Sequence, residues 1–266
     1  MNMEKYRQLY ERTSHTTIIV YVVLRVLVVL VLVRQIMTGN FTNALLCVLS
    51  LALFSLPFLL EERLALELPS GLQISIFCFI FAAEILGEIN NFYGHLPFWD
   101  TMLHTINGFL CASIGFNLVD LLNKKVEGFQ MTPLFIAILA FCFSMTIGVC
   151  WEFIEYAGDV IAAPDMQKDW YISSISSIKL NEAGENVPVR IDGIDHTVLY
   201  NKDGEELYTI KEGYLDIGLI DTMKDLFVNL VGALVFSTMG YLYMTNRDRY
   251  RFAGRFHIVR RKEEDG

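Results

Sequence analysis

Apolar residues gather in six blocks along the chain, over approximately 16–37, 41–60, 72–91, 98–120, 132–156 and 219–244. Each approaches the roughly 20 residues that an α-helix needs to cross the hydrocarbon of a bilayer. One such block also fits a core helix of a soluble protein. Six in one chain predict a polytopic membrane protein. The first block is too long for a signal-peptide core and lacks a convincing small-residue cleavage site, so a retained span is expected.

Between the fifth and sixth blocks the pattern changes. The stretch "VPVRIDGIDHTVLYNKDGEELYTI" alternates strand-like runs with two turn signals, Asp192-Gly193 and Asn201-Lys-Asp-Gly204. That predicts a small antiparallel meander. The expected fold is an all-α polytopic membrane protein: six transmembrane helices with a β-rich insertion between helices five and six. The boundaries read as a bundle of helices one to five over 1–158, an insertion over 159–216, helix six over 217–245 and a basic tail over 246–266.

Charge sets the expected orientation, because basic loops stay in the cytoplasm. Lys5, Arg7 and Arg12 precede the first span, Arg63 follows the second, and Lys124 and Lys125 follow the fourth. Seven more, Arg247, Arg249, Arg251, Arg255, Arg260, Arg261 and Lys262, follow the sixth, whereas the loop "NFYGHLP" has no Lys or Arg. Both termini are then cytoplasmic, with Arg34 a single exception. From Asp159 to Asp216 twelve acidic residues face five basic ones, so this extracytoplasmic insertion holds −7 of the chain's net −9. It reads as a solvated cap, as a lid over a site, or as a surface for a protein partner. The basic tail should attract anionic lipid heads. Arg25, inside span one, either snorkels or pairs with a buried acid.

Composition narrows the field. The chain is 53% hydrophobic and 19% charged, with a net charge of −9. The negative charge argues against a general nucleic-acid partner. Cys47, Cys78, Cys111, Cys142 and Cys150 all lie in apolar stretches without a CxxC, and are expected to be small buried hydrophobes.

The chemistry lies in polar stripes within the later spans. Span three carries Glu84, Glu88 and Asn91; span four Asp100, His104 and Asn107; span five Glu152, Glu155 and Asp159; span six Asp221, Asp225 and Asn229. Spacings of three and four put each set on one helix face. In the orientation above all four stripes lie at the outer end. The helix macrodipole accounts for Asp100 and Asp221 at helix starts, but disfavours Glu152 and Glu155 near a helix end. Crowded carboxylates need a cation or shared protons. A divalent metal of unknown identity, held by Asp100, His104, Glu152, Glu155 and Asp225, meets that need, with Glu84, Glu88, Asp221 and Asn229 around it. Glu152 or Glu155 is the candidate general base. No GxSxG elbow, Walker loop or GxGxxG occurs, and Ser144 stands between Phe and Met. Glu61-Glu62-Arg63 reads as a cytoplasmic loop with a salt bridge. Gly108, Ala112, Gly115, Gly232 and Gly240 permit close helix approach.

With Trp99-Asp100, His104, Gly108, Trp151-Glu152, Glu155, Asp221, Asp225, Asn229 and Gly232-Ala233 in that order, the chain resembles the uncharacterised bacterial YjdF-like inner-membrane proteins, and more distantly VanZ-like proteins. The likeness covers roughly residues 84–240. It implies a multi-pass protein of the bacterial cytoplasmic membrane in contact with lipid, and an envelope role by analogy. The insertion between Glu155 and Asp221 is longer than the connection in that family. Three readings stand: a metal-dependent protein or enzyme acting on lipid or envelope substrates, a proton- or cation-coupled transporter, and a non-catalytic scaffold or envelope-response protein. Bound metal marks the first and flux the second. In the third, removing the acids changes only stability or partner binding.

Overall fold

The structure, a computed structural model, describes residues 14–64, 66–125, 130–162 and 165–260. Both termini lie outside the described residues, with Lys5, Arg7, Arg12, Arg261 and Lys262.

Six helices are long and apolar enough to cross a membrane. The first, α1 (His15–Met37), starts behind Ser14, whose hydroxyl accepts the Thr17 amide at 3.2 Å. The second, Phe41–Arg63, is broken into α2 (Phe41–Leu53) and α3 (Leu56–Leu64). Pro57 explains the break, because it has no N–H and its ring clashes with the carbonyl four residues back. The third runs from α4 (Ser70–Ile80) into a π-helical stretch, Phe81–Ile89. A short α5 (Phe92–His95) leads to α6 (Trp99–Asn123), then α7 (Pro133–Ala162) and α8 (Leu219–Thr245).

The chain forms two compact units, one of Met1–Val149 with Asp225–Gly266 and the other of Cys150–Lys224. In the first, Val28, Cys47, Phe54, Phe77, Ile85 and Ile89 make one buried cluster. Ala112, Phe116, Ile136, Ala140, Ala233 and Phe236 make a second. Apolar residues also cover much of the outside, as lipid requires: Val22, Val26, Leu30 and Val33 of α1 are all exposed. The cysteines follow the same logic and correct the sequence expectation. Cys47 is buried and Cys111 half-buried, but Cys78, Cys142 and Cys150 are exposed; all five are free. In a bilayer an apolar stretch does not mean an interior position. Arg25 turns back on its own helix, donating to the Tyr21 hydroxyl with its guanidinium 5.2 Å from the ring centre.

Glu61 and Glu62 also depart from the loop expected for them. Both lie in α3, and the buried Glu61 carboxylate accepts the Leu68 amide at 2.7 Å and the Gln73 side chain at 3.0 Å. Glu61 ties the turn before α4 instead of marking a solvated loop.

Beyond α8 the chain folds back as a strap. A 3-10 turn, Arg251–Phe256, precedes β8 (Val259–Arg260), which pairs antiparallel with β1 (Leu66–Glu67). Asn117 of α6 clamps the strap: its amide donates to the Phe256 carbonyl at 2.8 Å, and its oxygen accepts the Ile258 amide at 2.6 Å. The Phe256 ring packs edge-on against Phe109 and Phe236, with centroids 5.1 and 6.2 Å apart. Ile258 is buried in a third cluster with Leu66, Leu72 and Leu110.

The second unit carries the β-structure between the fifth and sixth long helices. β2 (Tyr171–Ile172) pairs with β7 (Tyr214–Leu215), β3 (Ser174–Ser177) with β4 (Val189–Asp192), and β5 (Thr197–Tyr200) with β6 (Glu206–Ile210), all antiparallel. The Asn201–Gly204 turn joins a hairpin as expected, and Asn201 Oδ1 accepts the amides of Asp203 and Glu205 at 3.0 and 2.8 Å. Asp192-Gly193 does not. β4 pairs back on β3, and the Ile194 amide continues that edge to the Ser173 carbonyl at 2.8 Å. Several of the insertion's carboxylates satisfy backbone donors: Asp159 accepts from Met166 and Gln167, and Asp216 from Trp170 and Ile220.

Candidate functional site

Asp100 opens α6, where a helix start favours a carboxylate. One turn on, His104 lies on the same face, with Nε2 3.4 Å from Asp100 Oδ1. Asp225 of α8 approaches the same nitrogen, its Oδ2 3.8 Å away. His104 and Asp225 are buried and Asp100 is half-buried. One ligand atom from each of the three lies within 4.8 Å of the other two.

Glycines bring the two helices this close. A Cβ on Gly232 would stand 1.9 Å from the Thr105 carbonyl oxygen, and one on Gly108 would stand 2.1 Å from that of Asn229. α6 and α8 therefore touch backbone to backbone, as the sequence reading of these glycines expects. Below the three ionisable groups lies a second polar layer. Asn107 donates to Asn229 at 3.4 Å, and Asn229 donates to the Met145 sulfur at 3.6 Å. Gly148 leaves room for that amide, since a Cβ there would be 2.6 Å from Asn229 Nδ2. Ser144, which sequence excluded as a nucleophile, donates to the Gly108 carbonyl at 2.8 Å.

The donor set suits a divalent cation. Ligand bonds of about 2.1 Å put donor atoms roughly 3.0 Å apart at right angles and about 3.4 Å apart in a tetrahedron. The His104 spacing to Asp100, 3.4 Å, meets the tetrahedral value, and that to Asp225, 3.8 Å, is a few tenths of an ångström beyond it. Two carboxylates and one imidazole are also a hard-to-borderline set, suited to zinc, manganese or iron more than to copper(I).

The other expected residues are placed as follows. Glu152 and Glu155 are buried on α7 in the second unit, and the Trp151 indole donates to Glu155 at 2.7 Å. Asp221, also buried and in that unit, accepts the Lys168 amide at 3.0 Å and lies 3.4 Å from Lys224 Nζ. Asp221 therefore has a structural task at the start of α8. Glu84 and Glu88 lie on the π-helical stretch, the first half-buried and the second exposed. Gly87 there packs against the Tyr93 ring, where a Cβ would be 2.5 Å from the nearest ring carbon.

Sequence reasoning overlooked Asn117, Asp120 and His257. Ser113, Asn117, Asp120 and Lys124 repeat at spacings of three and four along α6, and that signal was legible. Asp120 is 1% exposed, held 2.5 Å from Lys124 Nζ and 3.5 Å from His257 Nε2.

A family model described as "Predicted membrane protein (DUF2238)" matches residues 18–246. An uncharacterised protein of Thermotoga maritima is 28% identical over 105 residues, 40% of this chain and 53% of that protein's length. No solved structure matches the chain.

Proposed function

The chain belongs to the DUF2238 family of predicted membrane proteins, and from that premise we propose that its Asp100–His104–Asp225 site binds a divalent cation. The observation that carries this reading is the convergence of three ligand atoms within 4.8 Å. Two carboxylates and an imidazole that converge this closely offer oxygen and nitrogen donors of the kind a divalent cation takes. By the positive-inside pattern the site opens at the outer leaflet of a bacterial cytoplasmic membrane, with both termini inside. Asp225 supplies a desolvated negative charge, His104 a neutral nitrogen, and half-buried Asp100 the side from which a ligand enters.

A bound divalent cation supplies Lewis-acid polarisation of a phosphoryl or carbonyl oxygen and acidification of a water. The residues that hold it fix its position. The sequence pattern assigns the general base to Glu152 or Glu155. The likeness to YjdF-like and VanZ-like proteins supports lipid or lipid-linked envelope substrates. A transporter needs a polar route along the helices. Below Asn107, the rings of Phe109, Phe236 and Phe256 meet edge-on, with centroids 5.0–6.2 Å apart, and this favours a site over a route.

The test is elemental analysis of the protein purified in detergent without chelating resin, beside His104→Ala and Asp225→Ala. Near-stoichiometric metal in the wild type, lost in both folded variants, is the expected result. A metal-free wild type sinks the proposal. Liposome flux assays and partner-capture assays would then separate a transporter from a scaffold.

A further inference from the structure

The end of α6 remote from Asp100 carries a second buried titratable pair, Asp120 with His257, and it belongs to the strap. We infer that the strap, residues 246–260, is a proton-operated latch: it grips the first unit while His257 is neutral and loosens when His257 takes up a proton.

The strap's grip is local and countable. Asn117 makes two hydrogen bonds to strap backbone, Phe256 and Ile258 enter apolar clusters, and β8 adds a short pairing to β1. Gly71, at the start of α4, lets the strap pass, since a Cβ there would be 2.7 Å from the Arg255 carbonyl oxygen. His257 sits in the middle of these contacts. Its side chain is 9% exposed, and Nδ1 is buried with no hydrogen-bond partner among the described residues. Neutral imidazole suits this place: Nε2 lies 3.5 Å from the Asp120 carboxylate, and Nδ1 needs no acceptor.

The imidazolium does not suit it. The new N–H would be buried without an acceptor, at a cost typical of an unmade hydrogen bond. The surrounding charge is also unfavourable. α6 presents Asp120 and Lys124, and Lys124 already engages the same carboxylate oxygen at 2.5 Å. Arg247, just beyond α8, adds a second cation, and the Tyr243 ring lies 5.5 Å from the imidazole. β1 contributes Glu67, in the strand opposite Val259, and the facing start of α4, Ser70-Gly71, is uncharged. Burial, and then Lys124 and Arg247, hold the imidazole below its ordinary value; Asp120 opposes them without prevailing. A histidine depressed in the docked state takes up fewer protons there than when released. Docking is therefore strongest above about pH 6.5 and weakens as pH falls below it. Loosening would draw Phe256 out from between Phe109 and Phe236 and bare Asn117 and Asp120.

Hydrogen exchange of the full chain in lipid nanodiscs tests this. The readout is protection of the peptide containing the Ile258 amide at pH 7.5 and 5.5, corrected for intrinsic exchange. Protection should fall at least about threefold at the lower pH, bounded at about tenfold for each pH unit separating the two pKa values. His257→Gln should show equal protection at both. Lys124→Gln removes a cation that opposes protonation, so its response should shrink. Unchanged protection in the wild type, or the same fall in His257→Gln, overturns the latch. If His257→Gln never docks, Lys124→Gln decides, and a response as large as the wild type's overturns it.

Discussion

Gly232→Ala tests what holds His104 and Asp225 together. The added methyl would stand 1.9 Å from the Thr105 carbonyl oxygen, with the Phe109 amide nitrogen 2.9 Å away. Carbon–oxygen contacts between helices settle at about 3.3 Å or more, so the two backbones must part by roughly 1.4 Å. Both neighbours are backbone atoms and not flexible side-chain tips, and strain of this kind costs about 1–3 kcal/mol or more. Asp225 is seven residues, about two turns, before Gly232 on the same rigid helix. The displacement should therefore carry its Oδ2 beyond the present 3.8 Å from His104 Nε2. Thermal unfolding in detergent should show a midpoint several degrees lower, and metal content should fall with it. Leu234→Ala, on the exposed face of the same helix, is the control and should change little. A Gly232→Ala protein as stable as the wild type, with undiminished metal, would refute the backbone contact as the support of the site.

Other perturbations have defined outcomes. Asn117→Ala leaves the Ile258 amide without its acceptor, at about 1–3 kcal/mol, while the Phe256 carbonyl keeps the Ser113 hydroxyl at 3.4 Å; trypsin should cut at Arg251 or Arg255 faster, and equal rates count against the clamp. Asp216→Ala removes the acceptor for the Ile220 amide at the start of α8 and for the Trp170 amide; an N-terminal cap is worth about 0.5–2 kcal/mol, so amides of the insertion should exchange faster. Asp169 is raised from its ordinary value, by burial first and then by Asp165, Asp216 and Asp159. Its charged form therefore opposes folding at neutral pH, and the opposition is relieved as pH falls through the raised value. Asp169→Asn should stabilise the second unit at pH 7, with the gain vanishing near pH 4, and a pH-independent gain would rule out this cause.

The spans were legible because bilayer thickness imposes a length that few other structures require. Asp100, His104 and Asp225 were legible because a three-or-four spacing survives any helix rotation. What escaped was long-range or non-α. Glu84 and Glu88 satisfy the same spacing, yet the chain coils there as a π-helix, which spacing does not announce. The partner of β4 depended on a strand upstream of the turn, and a turn signal specifies only neighbours. Residues 246–260 look like an ordinary basic flank, since positive-inside charge masks the alternation of Phe252, Phe256 and Ile258 with arginines. Asn117 and Asp120 obeyed the spacing rule, but their partners come from that flank.

The strap also has a consequence for biosynthesis. Asn117 waits for Ile258, 141 residues downstream, and the second apolar cluster waits for Phe256, so both stay incomplete until the strap has left the ribosome. Until then a bare Asn117 and Asp120 sit at the end of an inserted helix, and the rings of Phe109 and Phe236 lack their third member. A nascent protein stalled after α8 is thus an open bundle with a polar notch, the state in which quality-control proteases find purchase. Deleting residues 251–260 would leave the six described spans intact and still deprive the cell of finished protein.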